Sequence, residues 1–138
     1  MRVAVVFFSG SSRDRIADIA RGVVAGIERG GHHVDLIDGD RSADAKLTGY
    51  QYIALGAGGI SFFGGKIPPK VREYLSSAGI VGGKRSFAFT TNRPFGASKV
   101  LRNVMSAMEH EGMFIRYSEV IRSRTEAEIV AERLKLDH

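Results

Sequence analysis

The sequence predicts an α/β fold, a five-stranded parallel sheet with helices on both faces, as a single domain over residues 1–138. Three observations carry this. Short apolar runs alternate along the chain with segments whose apolar residues recur every three or four positions. The runs Val3 to Phe8, Tyr52 to Leu55 and Phe87 to Phe89 are almost continuously apolar, as strands covered on both faces must be. Each run leads into a loop rich in glycine or hydroxyl residues and then into a helical pattern. Ligands of such sheets sit at the carboxyl ends of the strands, so all three loops should open at one edge.

The elements follow in order. Val3 to Phe8 is the first strand. Ile16, Ile19, Ala20, Val23, Val24 and Ile27 then form one apolar stripe within a helix from Arg13 to Arg29, which Gly30-Gly31 stops. His33 to Ile37 is a short second strand. The stretch from Asp38 to Gly49 is polar and turn-rich, with room for at most a turn or two of helix. Tyr50 to Leu55 is the third strand. Pro68-Pro69 opens the next helix, since proline is tolerated in a first turn. Val71, Tyr74 and Leu75 form its stripe, and Gly79 ends it. Lys84 to Thr90 is the fourth strand. Ala97 to Glu111 is a helix with Val100, Leu101, Val104, Met105 and Met108 on one side. Phe114 to Ile121 is the fifth strand, and Thr125 to Leu136 reads as the last helix.

Composition narrows the function. With 138 residues, 43% of them hydrophobic, the chain can bury one ordinary core. It has no cysteine, which excludes disulfides, thiolate catalysis and cysteine-held metals. No apolar run reaches the roughly 18 residues of a membrane span. The apolar start lacks a signal-peptide layout, because Ser9 to Arg15 is polar and charged, so a cytoplasmic location is expected. The net charge is +5 and the pI about 9.8, but the basic residues are scattered. Without a dense basic run or an interleaved aromatic stripe, a nucleic-acid partner is not expected. His32-His33 reads as a solvated pair, since no acidic residue or third histidine is placed nearby to complete a metal site.

The three loops carry the functional reading. The first is Ser9-Gly10-Ser11-Ser12-Arg13-Asp14. The second begins Gly56-Ala57-Gly58-Gly59-Ile60-Ser61-Phe62-Phe63-Gly64-Gly65 and continues through Lys66-Ile67-Pro68-Pro69. The third is Thr90-Thr91-Asn92-Arg93-Pro94-Phe95-Gly96. In their order and character these loops resemble those of the flavodoxins over essentially the whole chain. The first is similar to the family's phosphate loop, roughly T/S-x-T-G-x-T. Ser9 and Ser11 match two hydroxyl positions, Ser12 stands where glycine is usual, and Asp14 stands where the last threonine is usual. The Gly56 to Pro69 loop resembles the family's flavin loop, and the Thr90 to Gly96 loop resembles the one before its long helix. The resemblance implies a three-layer α/β/α sandwich with strand order 2-1-3-4-5, FMN as cofactor, and electron transfer to a redox protein partner.

Elementary chemistry bears on each loop. A helix N-terminus supplies unpaired N–H groups and partial positive charge to a phosphate. Ser9, Ser11 and Ser12 add hydroxyls, and Arg13 adds a charge-assisted bond. Asp14 opposes this, because a carboxylate in the first turn caps the same N–H groups and repels a phosphate. A capped helix start without any ligand is the competing reading. Phe62, Phe63 and Phe95 are candidate walls for an isoalloxazine ring. Gly58, Gly59, Gly64 and Gly96 allow close backbone approach, with Ala57, Ile60, Thr90, Thr91 and Asn92 completing the candidate site. The competing reading packs the three phenylalanines on one another or on a protein partner. Two further functions stay open: a flavodoxin-like binding or regulatory module without FMN, and a small NAD(P)H-dependent flavin reductase. The latter is disfavoured by the lack of a segment to hold a nicotinamide. The basic balance favours an acidic redox partner.

Overall fold

The computed structural model describes residues 1–11 and 13–137; Ser12 and His138 lie outside the described residues. The elements run β1 (Arg2–Phe8), α1 (Arg13–Glu28), β2 (His33–Asp38), β3 (Tyr52–Ala57), α2 (Pro69–Ser76), β4 (Arg85–Thr91), α3 (Ala97–His110), β5 (Phe114–Ile121) and α4 (Arg124–Glu132). The five strands form one sheet in the order β2-β1-β3-β4-β5, and every pairing is parallel. This is the order that the resemblance to the flavodoxins implies.

Strand alternation sends successive side chains to opposite faces, which divides the core in two. Val3, Val5 and Phe7 of β1 meet the stripe of α1 and Ala127 and Ala131 of α4. Ala4, Val6 and Phe8 of the same strand meet Val71, Tyr74 and Leu75 of α2 and Val100, Val104 and Met108 of α3. The three inner strands are buried almost throughout, which is why their sequences read as unbroken apolar runs. The edge strands β2 and β5 are half covered.

The boundaries of the third strand and of the last helix differ from expectation, each for a packing reason. The third strand starts at Tyr52 and runs on through Gly56 and Ala57, whereas Tyr50 lies in the preceding turn. The Tyr50 hydroxyl donates to Asp35 (2.7 Å), and the Arg2 guanidinium lies over its ring. Among residues 39–51 there is no helix; Leu47, fully buried, anchors this segment, and its N–H donates to the Ala78 carbonyl (2.7 Å). The last helix ends at Glu132, yet Leu136 is 5% exposed and packs on the α1–α4 side. Its apolar spacing extended the helical pattern, but it reaches the core from a turn.

The sheet order places the functional edge. β1 lies between β2 and β3, where successive connections go to opposite sides, and ligands of doubly wound sheets bind at such a switch point. The carboxyl ends of β1, β3 and β4 are adjacent, so the three loops of the sequence meet.

Candidate functional site

Loop 1 connects β1 to α1, and the donors of Ser9, Ser11 and the Arg13 guanidinium are engaged within the chain. The Ser9 N–H donates to the Asp40 carboxylate (2.9 Å), and the Ser9 hydroxyl donates to the same oxygen. Arg13 donates to Asp38, to Asp40 (3.2 Å) and to Ser9 Oγ (3.2 Å). Asp38 and Asp40 come from the turn after β2, and β2 pairs directly with β1. The turn is itself bonded: the Asp40 N–H donates to the Asp38 side chain (3.0 Å), and the Arg41 and Ser42 N–H groups donate to the Asp38 carbonyl. Burial pushes the Asp38 carboxyl up. The hydrogen bond and charge of Arg13, the Asp40 N–H and the charge of Arg41 outweigh it and hold its pKa below the ordinary value. The Arg13 pKa is raised, first by its hydrogen bond to Asp38.

Ser11 turns the other way. Its N–H (3.0 Å) and its hydroxyl (2.9 Å) both donate to the Gly59 carbonyl, tying loop 1 to loop 2. Gly10 makes this approach possible, because its φ is +58° and a Cβ there would overlap the Gly58 carbonyl. Asp14 lies exposed in the first turn of α1 and makes no hydrogen bond among the described residues. It lines a groove of about 670 Å³ along α1 together with Arg13, Asp38, Arg21, Leu36 and Arg41. Ser12 lies outside the described residues.

Loops 2 and 3 form the other half. The Ile60 N–H donates to the Lys66 carbonyl (3.0 Å), closing loop 2 on itself. Arg93 of loop 3 donates to the carbonyls of Ser61 and Phe62, the latter at 2.7 Å. Asn103 of α3 donates to Gly65 (2.7 Å). Gly96, with φ +80°, sits at the start of α3 where a Cβ would overlap the Gly64 carbonyl. Phe62, Phe63 and Phe95 pack on one another with ring centroids 4.7–5.7 Å apart. They nonetheless remain 67%, 65% and 50% exposed, so the cluster is unshielded from water on its outer side.

Between the three loops lies a cavity of about 200 Å³, lined by Ser11, Gly58, Gly59, Phe62, Thr91 and Asn92, with Arg15, Arg93 and Pro94 at its margins. The Thr91 hydroxyl is buried and has no hydrogen-bond partner among the described residues. A buried hydroxyl is normally satisfied, which marks this wall as one with unused hydrogen-bonding capacity. Thr90 plays a different part: its hydroxyl donates to the Ala57 carbonyl (2.7 Å) and fastens the ends of β4 and β3.

The arrangement brings together most of the residues expected from the sequence. Gly58, Gly59, Phe62, Thr91, Asn92 and Ser11 share the cavity; Phe63, Phe95, Gly64 and Gly96 form its aromatic flank. Ala57 and Thr90 are strand ends that hold the wall, and Ile60 is exposed on the outside of loop 2. Arg13, expected to face a phosphate, is paired with Asp38 and Asp40. The sequence reading missed three participants: Asp38, Asp40 and Arg15, which donates to Asn92 across from α1. The signal for the aspartates was present. A strand order of 2-1-3 places the Asp38-Gly39-Asp40 turn beside loop 1.

The sequence matches no protein-family profile and no curated protein. Solved structures do match. A flavodoxin from the domain Archaea is 20% identical with a TM-score of 0.72, covering 99% of this chain and 95% of its own. Oxidised flavodoxin 1 from Bacillus cereus is 15% identical with a TM-score of 0.71, covering 96% and 93%. Two-electron reduced Megasphaera elsdenii flavodoxin is 14% identical with a TM-score of 0.64, covering 96% and 99%. The fold is flavodoxin-like, and at these identities the fold is what the chains share. Among the described residues no helix is long and apolar enough to cross a membrane.

Proposed function

We propose that this chain is a flavin-binding electron carrier that holds an isoalloxazine ring between loops 2 and 3. One observation carries the reading: a cavity at the switch-point edge combines glycine backbone, an aromatic flank and the unpartnered Thr91 hydroxyl. FMN is the cofactor that the sequence resemblance implies. The flavin supplies the redox chemistry when bound. The chain's part is to enclose the ring. Phe62, Phe63 and Phe95 supply apolar walls, and Thr91 and the backbone of loops 2 and 3 supply polar contacts. The cavity is smaller than the roughly 300 Å³ at which ligand pockets usually begin, so the exposed phenylalanines must part to admit a ring.

The ring end has the aromatic and polar groups a flavin needs once the phenylalanines part; the phosphate end, with Ser9, Ser11 and Arg13 engaged, does not suit a phosphate as it stands. That same feature favours the second reading, a flavodoxin-like module without a flavin. Titration of the full chain with FMN and with riboflavin separates the two. The carrier reading expects flavin fluorescence to quench and the visible spectrum to sharpen; no quenching by either flavin at high micromolar protein supports the module. The electron-exchange partner is expected to be acidic. Arg15, Lys66, Lys70, Arg93 and Lys99 surround the loop edge, and none makes a salt bridge among the described residues. Exchange rates that fall steeply with salt would support this.

A further inference from the structure

We infer that Asp40 is a built-in anion occupying the phosphate seat of loop 1, so that the site selects its flavin by the ring and discriminates against a phosphorylated tail. The inference rests on the flavin reading for its ligand but on the local geometry for its cause. A phosphate seat in a loop of this kind needs converging donors and positive charge at the start of the following helix. The Ser9 N–H and hydroxyl converge on a single oxygen of Asp40, and the Arg13 guanidinium reaches the same oxygen at 3.2 Å. Two donors and a cation therefore already hold an oxyanion.

The surroundings make this carboxylate difficult to displace. Its backbone N–H is fixed by Asp38, its carbonyl accepts from Lys70 Nζ (3.1 Å), and its side chain is 19% exposed. Arg13 is also committed to Asp38, and Arg41 lies 3.7 Å from the same Asp38 oxygen. The guanidinium of Arg13 thus faces two carboxylates, and Arg41 is largely exposed to solvent. A phosphate entering here would bring about two negative charges against two carboxylates that already share Arg13. It would also have to take the Ser9 donors from Asp40 and leave that carboxylate without its partners, a cost that offsets the bonds it gains. The second hydroxyl is unavailable as well, because Ser11 donates to Gly59. A flavin without the phosphate meets none of these obstacles. Asp40 thereby takes the role of competing anion that sequence alone suggests for Asp14.

The test compares FMN with riboflavin by fluorescence titration of the full chain, in the wild type and in Asp40→Asn and Asp40→Ser. A parallel thermal-shift series uses inorganic phosphate alone, which reads the seat without any flavin. The expected result is that the wild type binds FMN no more tightly than riboflavin. Either substitution should shift the FMN-to-riboflavin affinity ratio toward FMN by roughly tenfold or more. Phosphate should then raise the melting temperature of the variants and not that of the wild type. A wild type that strongly prefers FMN, or an affinity ratio unmoved by both substitutions, overturns the inference while leaving a flavin carrier standing. If no flavin binds any variant, the carrier reading fails, and phosphate decides the remainder. A melting shift confined to the variants upholds Asp40 as the occupant of the seat, and equal shifts or none refute it.

Discussion

Arg13 and Asp38 form an ion pair whose protonation is linked to stability. The folded pKa of Asp38 is lowered, so the pair contributes fully above the unfolded carboxylate value of about 3.9. That contribution is lost as the pH falls through the folded pKa. The raised pKa of Arg13 leaves the cation charged throughout this window. Thermal unfolding followed from about pH 6 to about pH 3 should therefore show stability falling toward acid, with a shallower fall in Asp38→Asn. Equal slopes in the two proteins would mean the pair does not couple to folding. Gly96 makes a separate residue-scale case. It combines φ +80° with a Cβ position already filled by the Gly64 carbonyl, so strain and overlap act together. Gly96→Ala should cost roughly 1–3 kcal/mol in denaturant unfolding and weaken flavin binding, since loop 2 must retreat from loop 3.

At the level of elements, α1 and α4 lie unusually close. Cβ atoms at Gly22 and Gly26 would fall 2.6 Å from the Arg124 carbonyl oxygen and 2.5 Å from that of Glu128, so these two glycines set the distance at which α4 docks. Two effects oppose one another in Gly26→Ala. Helix propensity favours alanine by about 1 kcal/mol, whereas overpacking a tight contact costs about 1–3 kcal/mol. Backbone lies on the far side of the contact and cannot rotate away, so the expected outcome is net destabilisation with a lowered melting temperature. A stabilised variant would show that α4 moves freely. Loop 2 depends on a different kind of tie. Arg93 holds the Ser61 and Phe62 carbonyls from loop 3, while the ties from Ser11 and Asn103 reach loop 2 only at Gly59 and Gly65. Arg93→Ala should speed amide hydrogen exchange across residues 61–64 while leaving the exchange of β1 and β3 unchanged. Uniformly faster exchange would point to a global loss of stability instead.

Across the whole molecule, the proposed flavin reading makes charge the determinant of redox behaviour. The sequence has no Asp or Glu from Gly56 to Arg72, nor from Gly79 to Val104. Loops 2 and 3 therefore bring Lys66 and Arg93 to the ring end without carboxylates of their own. Arg13, which the sequence places in the same positive group, is neutralised by Asp38 and Asp40 and adds little. A reduced flavin that loses a proton is an anion, and cations near it favour that state where water is excluded. Lys66→Glu should make the second one-electron reduction step harder, and Arg93→Glu should do so while also loosening loop 2. A spectroelectrochemical titration checks this. An unmoved second potential in both variants would place these charges in solvent, screened within a Debye length of about 8 Å at physiological salt.

Periodicity determined the class, a parallel sheet covered by helices, while the strand order came from the resemblance of the loops to those of the flavodoxins. Apolar runs at Val3–Phe8, Tyr52–Leu55 and Phe87–Phe89 must be covered on both faces, and helical stripes between them must do the covering. The three loops were legible for a similar reason, since glycine-rich turns after buried strands stand out from their neighbours. The sequence also placed Phe62, Phe63 and Phe95 together, and they do meet. What tertiary structure decided is which donors remain available. Arg13 and Asp40 are 27 residues apart, and whether that arginine serves a ligand or a carboxylate depends on the register of β2 against β1. Asp14 is next to Arg13 in sequence and lines the same groove, yet the carboxylates that pair with Arg13 are Asp38 and Asp40. A hydrogen-bond donor is committed by distance and direction, and these are fixed only when strands far apart in the chain are laid side by side.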